Sequence, residues 1–172
     1  MRQILRGYTM YVGGVDYGYE VEEIMCPMPD QTFVEHSYGG AVMSAEVPMF
    51  KIGLLNPTLK FATHNPDVIG LLMRPPGVRD TFTFRAALVS ELDGAVKPNL
   101  MIYEGQLAAP NPDQWSRDDK SGIEYTIKNV VYYRQEIADA PIHEIGLNPA
   151  KMTVNRVDLL RSTGYNAALG RS

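Results

Sequence analysis

The sequence predicts a mainly β fold with little helix. Apolar and polar residues alternate in several separated runs, the longest from Ile123 to Ile137, and Gly, Pro and Asp or Asn punctuate the gaps between them. A clear helix start occurs only at Asn65, with breakers soon after it. The length of 172 residues fits one domain.

Taken in order, Tyr8 to Val12 ends at Gly13-Gly14, after which Val15, Tyr17, Tyr19 and Val21 alternate with Asp16, Gly18, Glu20 and Glu22. The Gly pair supplies the positive φ angles of a tight hairpin, so one face is expected to be apolar and the other acidic. Pro27 to Asp30 reads as a turn, and Gln31 to His36 as a short strand. Ser37 to Pro57 holds Gly39, Gly40, Pro48, Gly53 and Pro57 and reads as a long loop. It also carries Val42, Met43, Val47, Met49, Phe50, Ile52, Leu54 and Leu55. A surface loop of that composition exposes a large apolar patch, so it is expected to dock on a neighbour.

Leu59 to His64 resumes the strand pattern. Asn65-Pro66-Asp67 then offers a side-chain cap, Pro at the first helical position and an acid at the positive helix end. Pro75-Pro76-Gly77 stops that helix within about two turns. Phe82, Phe84, Ala86 and Leu88 alternate with Thr81, Thr83 and Arg85, and Leu100 to Leu107 follows a turn at Asp93-Gly94. A polar loop, Pro110 to Gly122, precedes Ile123 to Ile137. At roughly 3.3 Å per residue that last run spans about 50 Å as one strand, more than the roughly 40 Å width of a compact chain of this length. It is therefore expected to project past its own core and pair with other copies. In the tail, 148–172, Met152, Val154, Val157, Leu159 and Leu160 suit either a short amphipathic helix or a strand.

Composition excludes several function classes. With 45% hydrophobic and 21% charged residues the chain can bury a core, and its net charge of −4 argues against a surface that grips phosphates. Cys26 stands alone, so no disulfide forms within the chain. The first residues lack the apolar core of a signal peptide and no stretch approaches the roughly 20 apolar residues of a membrane span, so neither export by that route nor membrane anchoring is expected.

No catalytic grouping is evident. His36, His64 and His143 lie far apart and outside metal-ligand spacing, so neither a metal site nor a cofactor is expected. Cys26 has no basic neighbour to lower its pKa, and Ser121 lacks the glycines of a nucleophile elbow or phosphate loop. The adjacent acids Glu22-Glu23 and Asp118-Asp119 point opposite ways on a strand and make no acid/base couple. Trp115 suits a loop anchor, with sugar stacking the alternative. An enzyme is not expected.

The order of elements, with Tyr11 to Val21, Tyr38 to Met43, Tyr125 to Arg134 and Asn155 to Gly170 as its best-matching parts, resembles the major tail tube proteins of contractile-tailed bacteriophages. That family often has Gly after the tail's Asn, where this chain has Arg156. The resemblance implies a small β-sandwich or partial barrel with one short flanking helix, forming hexameric rings whose inner strands join into one continuous β-barrel. Residues 1–172 then form a single tail-tube domain, with 37–57 an inter-subunit loop and 148–172 a C-terminal arm. It implies a virion tail component, assembled in the host bacterial cytoplasm. Its implied partners are itself, the tail sheath, baseplate and terminator proteins, and the tape-measure protein and DNA passing through without specific binding.

A channel for DNA should not bind phosphate, so Asp16, Glu20, Glu22 and Glu35 are expected to face the lumen while Tyr17, Tyr19 and Val21 pack inward. Met43, Val47, Met49, Phe50, Ile52 and Leu54 are expected at contacts between subunits or rings. The alternatives are the tube of a phage-like injection or secretion machine and, from another class, a carbohydrate-binding β-sandwich.

Overall fold

A computed structural model describes residues 2–40 and 42–171. Ala41, within the tail-tube resemblance, lies outside the described residues, as do the two ends of the expected domain. The chain opens with β1 (Gln3–Val12), which turns at Gly13 and Gly14, at φ 56° and 90°, into the two-residue β2 (Val15–Asp16). This is the expected hairpin, but its second strand stops early. The Asp16 carboxylate accepts from Thr9 Oγ1 at 2.6 Å and from the Gly18 amide at 2.8 Å, curling the chain into a turn. Tyr17 and Val21 are buried as expected, whereas Tyr19 projects fully into solvent.

Next come β3 (Val21–Met25), β4 (Gln31–His36), β5 (Ala45–Ile52) and β6 (Thr58–Phe61). The segment read as a loop, 37–57, thus contains a strand at its centre. β5 pairs antiparallel with β4 as a separate two-stranded arm, from Gln31↔Ile52 at its base to His36↔Ala45 near its tip. Helix α1 (Pro66–Ile69) has the expected cap, Asn65 Oδ1 accepting from the Asp67 amide at 2.9 Å, and buries Val68.

The body is built from β7 (Asp80–Ser90), β8 (Val96–Pro112), β9 (Ile123–Ile137) and β10 (Ala140–Gly146). The tail supplies both candidate forms: β11 (Lys151–Val154) and β12 (Val157–Asp158), then short helices α2 (Leu159–Ser162) and α3 (Tyr165–Ala168). The sheet runs β12-β11-β10-β9-β8-β7-β1-β2, with β6 joining β9 on one side and β3 on the other, and it does not close.

β9 has the expected bounds but not the expected partners. One edge pairs with β8 along nearly its whole length, and the other pairs with β6 at 123–126 and with β10 at 132–137. Between those stretches Ile127 donates to Pro57 O at 2.8 Å and Val131 O accepts from Leu147 at 2.9 Å. The excess length is absorbed by bending. Register shifts flank Gly105 and Ala109, and Asn129 and Ala109 take φ of 55° and 49°. Gly105 fits that bend because an added Cβ would lie 2.8 Å from Lys128 O.

Folding the long pair over itself encloses one core. Met10, Phe82, Phe84, Tyr103 and Tyr133 come from one half of the bend, and Leu59, Phe61, Leu107, Tyr125 and Ile127 from the other. The rings meet edge to face or tilted, Tyr103 and Tyr133 at 4.9 Å and Phe61 and Tyr125 at 5.7 Å.

Candidate assembly surfaces

Two surfaces stand out, and neither is a catalytic pocket. The first is the β4–β5 arm. Along it Phe33, Val34, Met49 and Phe50 are about half exposed, Met43 is 80% exposed and Val42 fully so. Apolar side chains project from both faces of this hairpin, which among the described residues has no sheet packed on either side. A two-stranded hairpin is marginal alone in water, so such an arm suits a surface finished by a partner. Of the residues expected at contacts, Met43, Val47 and Met49 lie on the exposed arm, Ile52 at its base, and Leu54 just beyond it at 89% exposed. Phe50 differs, because its ring packs on Tyr165 of α3 at 5.0 Å.

The second surface is the uncovered face of the large sheet. Cross-strand pairing aligns Asp16, Tyr11, Thr83, Ile102, Arg134, Glu144, Thr153 and Asp158 in one row. Flanking rows carry Thr9, Arg85, Leu100 and Glu136 on one side and Thr81, Glu104 and Tyr132 on the other. The cations here are occupied. Arg134 pairs with Glu136, Lys151 with Glu144 at 2.8 Å, and Arg85 sits 5.5 Å above the Tyr11 ring. Lys151 and the Tyr132 hydroxyl, which donates to Glu144 at 3.0 Å, hold the Glu144 carboxyl below its ordinary pKa.

The acids expected to act together are dispersed. Asp16 lies on the sheet face, its pKa lowered by the Thr9 hydroxyl and the Gly18 amide. Glu20 folds back on its own chain, accepting from Asn65 Nδ2 at 2.8 Å and Thr63 Oγ1 at 2.9 Å, so it braces the start of α1. Glu22 faces Lys120 at 3.4 Å, and Glu35 lies on the arm. The early end of β2 breaks the alternation that grouped them.

The remaining candidates are structural. The Cys26 thiol, pushed up to about 12 by burial, sits beside Tyr103, whose hydroxyl donates to Pro27 O at 2.7 Å. His36 packs on Tyr38 and His64 on Trp115. Trp115 is 81% exposed and meets His64 edge to face at 6.3 Å. Among the described residues no cluster of three or more His, Cys, Asp or Glu is placed to hold a metal ion, and no helix is long and apolar enough to cross a membrane.

Comparison with known proteins fits an assembling protein. The profile of the phage tail tube protein FII family matches residues 2–170. A solved sheath-tube complex of an extracellular contractile injection system, PVC, in its extended state, contains a similar chain with TM-score 0.51 and 10% identity. The match covers 73% of this chain and 86% of that one, and at this identity it shows a shared fold. No curated protein matches. The chain belongs to the phage tail tube protein FII family, and a tail tube protein is a structural part, not an enzyme.

Proposed function

We propose that this chain forms hexameric rings that stack into the inner tube of a contractile phage tail, the passage through which the genome enters the host. The family match over residues 2–170 carries this reading, and the solvent-exposed apolar arm supports it as the feature a lone protomer leaves unfinished. The chain acts as one tube domain, with 37–57 making contacts between copies and 148–172 serving as a C-terminal arm. In the assembled tail the sheath surrounds the tube, baseplate and terminator proteins meet its ends, and assembly takes place in the bacterial cytoplasm.

The uncovered sheet face suits a channel wall. Binding to DNA comes mainly from free Lys and Arg displacing counterions from phosphates, and here two of the cations are paired with carboxylates and a third lies over an aromatic ring. Asp16 belongs to this wall, as do Glu104, Glu136 and Glu144 on strands farther along the sheet, whereas Glu20 is consumed by its bonds to Thr63 and Asn65. A tape-measure protein or DNA then passes without specific binding.

Electron microscopy of the purified protein over a range of concentrations tests the proposal. Rings or tubes are expected, and a protein that remains a compact monomer at high concentration overturns it. The tube of a phage-like injection machine is the second reading, favoured by the fold shared with the PVC sheath-tube complex. DNA within intact particles selects the phage, and particles free of DNA select the injection machine.

A further inference from the structure

The tip of the arm and a groove at the arm's base are both apolar and open to solvent, and on a single chain they lie at opposite ends of the hairpin. The groove, about 530 Å³, lies between the 50–56 segment and the middle of β9, with Ile145, Met152 and Leu160 along its wall. An engineered apolar cavity of about 150 Å³ admits a benzene ring, so this groove has room for more than one side chain of that size. Its lip, Leu54 and Leu147, is 89% and 72% exposed. At the tip, Tyr38, Val42 and Met43 are 57%, 106% and 80% exposed.

The arm's geometry keeps the two apart. Ile52 pairs with Gln31 at the base and Ala45 with His36 near the tip, and the intervening strand spans roughly 25 Å at about 3.3 Å per residue. The groove is therefore left open by its own arm and is accessible to the arm of another copy. Charge favours the same match. Glu35 and Glu46 stand directly opposite one another across the arm, an unfavourable pairing of like charges, and among the described residues neither has an ion-pair partner. Lys51, exposed on the groove's rim, has no carboxylate partner among the described residues either.

We propose that Tyr38, Val42 and Met43 of one copy seat in the groove of a second copy, bringing Glu35 and Glu46 toward its Lys51. The contact joins two different surfaces, so it propagates from copy to copy and does not stop at a dimer. The proposal rests on the tube reading and adds to it the surface that receives the arm.

A cysteine pair, Met43→Cys with Leu147→Cys, tests it, since the native Cys26 is partly buried and its thiol pKa is pushed up to about 12, which makes it slow to oxidise. Oxidation of assembled double variant should give a ladder of cross-linked dimers, trimers and longer species on a non-reducing gel, with each single variant remaining monomeric. Tubes whose double variant stays monomeric overturn the proposal, as does a dimer from Met43→Cys alone, which means tip packs on tip. If the cysteines block assembly, charge reversal decides: Glu46→Lys and Lys51→Glu each weaken tube formation, and together they restore it. Absence of restoration overturns the pairing. Failure of the unaltered protein to form rings or tubes instead removes the tube reading itself.

Discussion

Replacing Gly122 by Ala probes the joint where β6 meets the start of β9. An added Cβ would lie 2.3 Å from the carbonyl oxygen of Phe61. The obstructing atom is backbone, in a strand whose Phe61 is 1% exposed and paired with Ile123, so it cannot swing aside as a side-chain end can. The other side is also fixed, because Asp113 donates its amide to Gly122 O at 2.9 Å and accepts from the Gly122 amide at 3.1 Å. Overpacking of this kind costs about 1–3 kcal/mol, and a hydrogen bond lost in relieving it adds about 1 kcal/mol. In a chain of this size each kcal/mol moves Tm by roughly 2–4 °C, so a central loss of about 3 kcal/mol lowers Tm by roughly 6–12 °C. The assay is thermal unfolding followed by circular dichroism at one low protein concentration, because assembly itself raises Tm. Gly53→Ala is the control, with nothing within 4 Å of its added Cβ, and should stay within about 0.5 kcal/mol of the parent. A Gly122→Ala protein that melts with the parent, or a control that loses as much, refutes the steric argument.

Two tight turns carry residues unsuited to positive φ: Ala138 and Asp139 at 52° and 60°, and Arg156 at 69° after Asn155. Ala138→Asn, Asp139→Gly and Arg156→Gly should each raise stability by about 0.5–1 kcal/mol, measured by denaturant unfolding. With its pKa near 12, Cys26 should react with a thiol reagent at pH 8 about 1,000-fold more slowly than in the unfolded chain. Since the folded chain holds that proton more tightly than the unfolded chain, the stabilisation is complete below about pH 9 and is lost as pH rises toward 12; Cys26→Ala should flatten that part of the pH profile. Met43→Glu removes an exposed side chain whose full burial at a contact is worth about 1.5–3 kcal/mol, so it should abolish sedimentable tubes while leaving the protomer's Tm unchanged. Phe50 is the poorer target, since its ring also holds Tyr165.

The sequence was legible where local chemistry alone decides structure. The Gly13-Gly14 turn, the Asn65 cap and the bounds of β9 each follow from neighbouring residues. It was misleading where a side chain redirected the backbone, as the Asp16 carboxylate does in ending β2 and leaving Tyr19 outside. β5 was hidden because Pro48 interrupts it and because both its faces are exposed, so its apolar residues show no period of two. β8 runs on to Pro112 through two prolines that read as loop, and the turn before β10 lacks the Asn or Gly that marks such turns. The uncovered sheet face, assembled from eight strands, has no signature in any one segment.

The bend in β8 and β9 also relocates what the protomer leaves incomplete. A straight fifteen-residue strand would have carried unpaired backbone beyond the core, but bulged at Asn129 it finds partners in β8, β6, β10, Pro57 and Leu147 of its own chain. Open hydrogen-bonding capacity lies instead on β1. Its outer edge pairs with β2 at Tyr11 and Val12, and among the described residues the stretch from Gln3 to Thr9 has no strand beside it on that side. Leu5 is half exposed on this edge, and the register shift between Leu5 and Gly7, with the charge of Arg6, divides it into two shorter stretches. Directional backbone bonding at β1 and non-directional apolar burial at the arm are different forces on different elements. In the proposed tube the first would fix the angle between neighbours and the second would supply affinity, so disabling the arm should cost assembly without distorting whatever contacts survive.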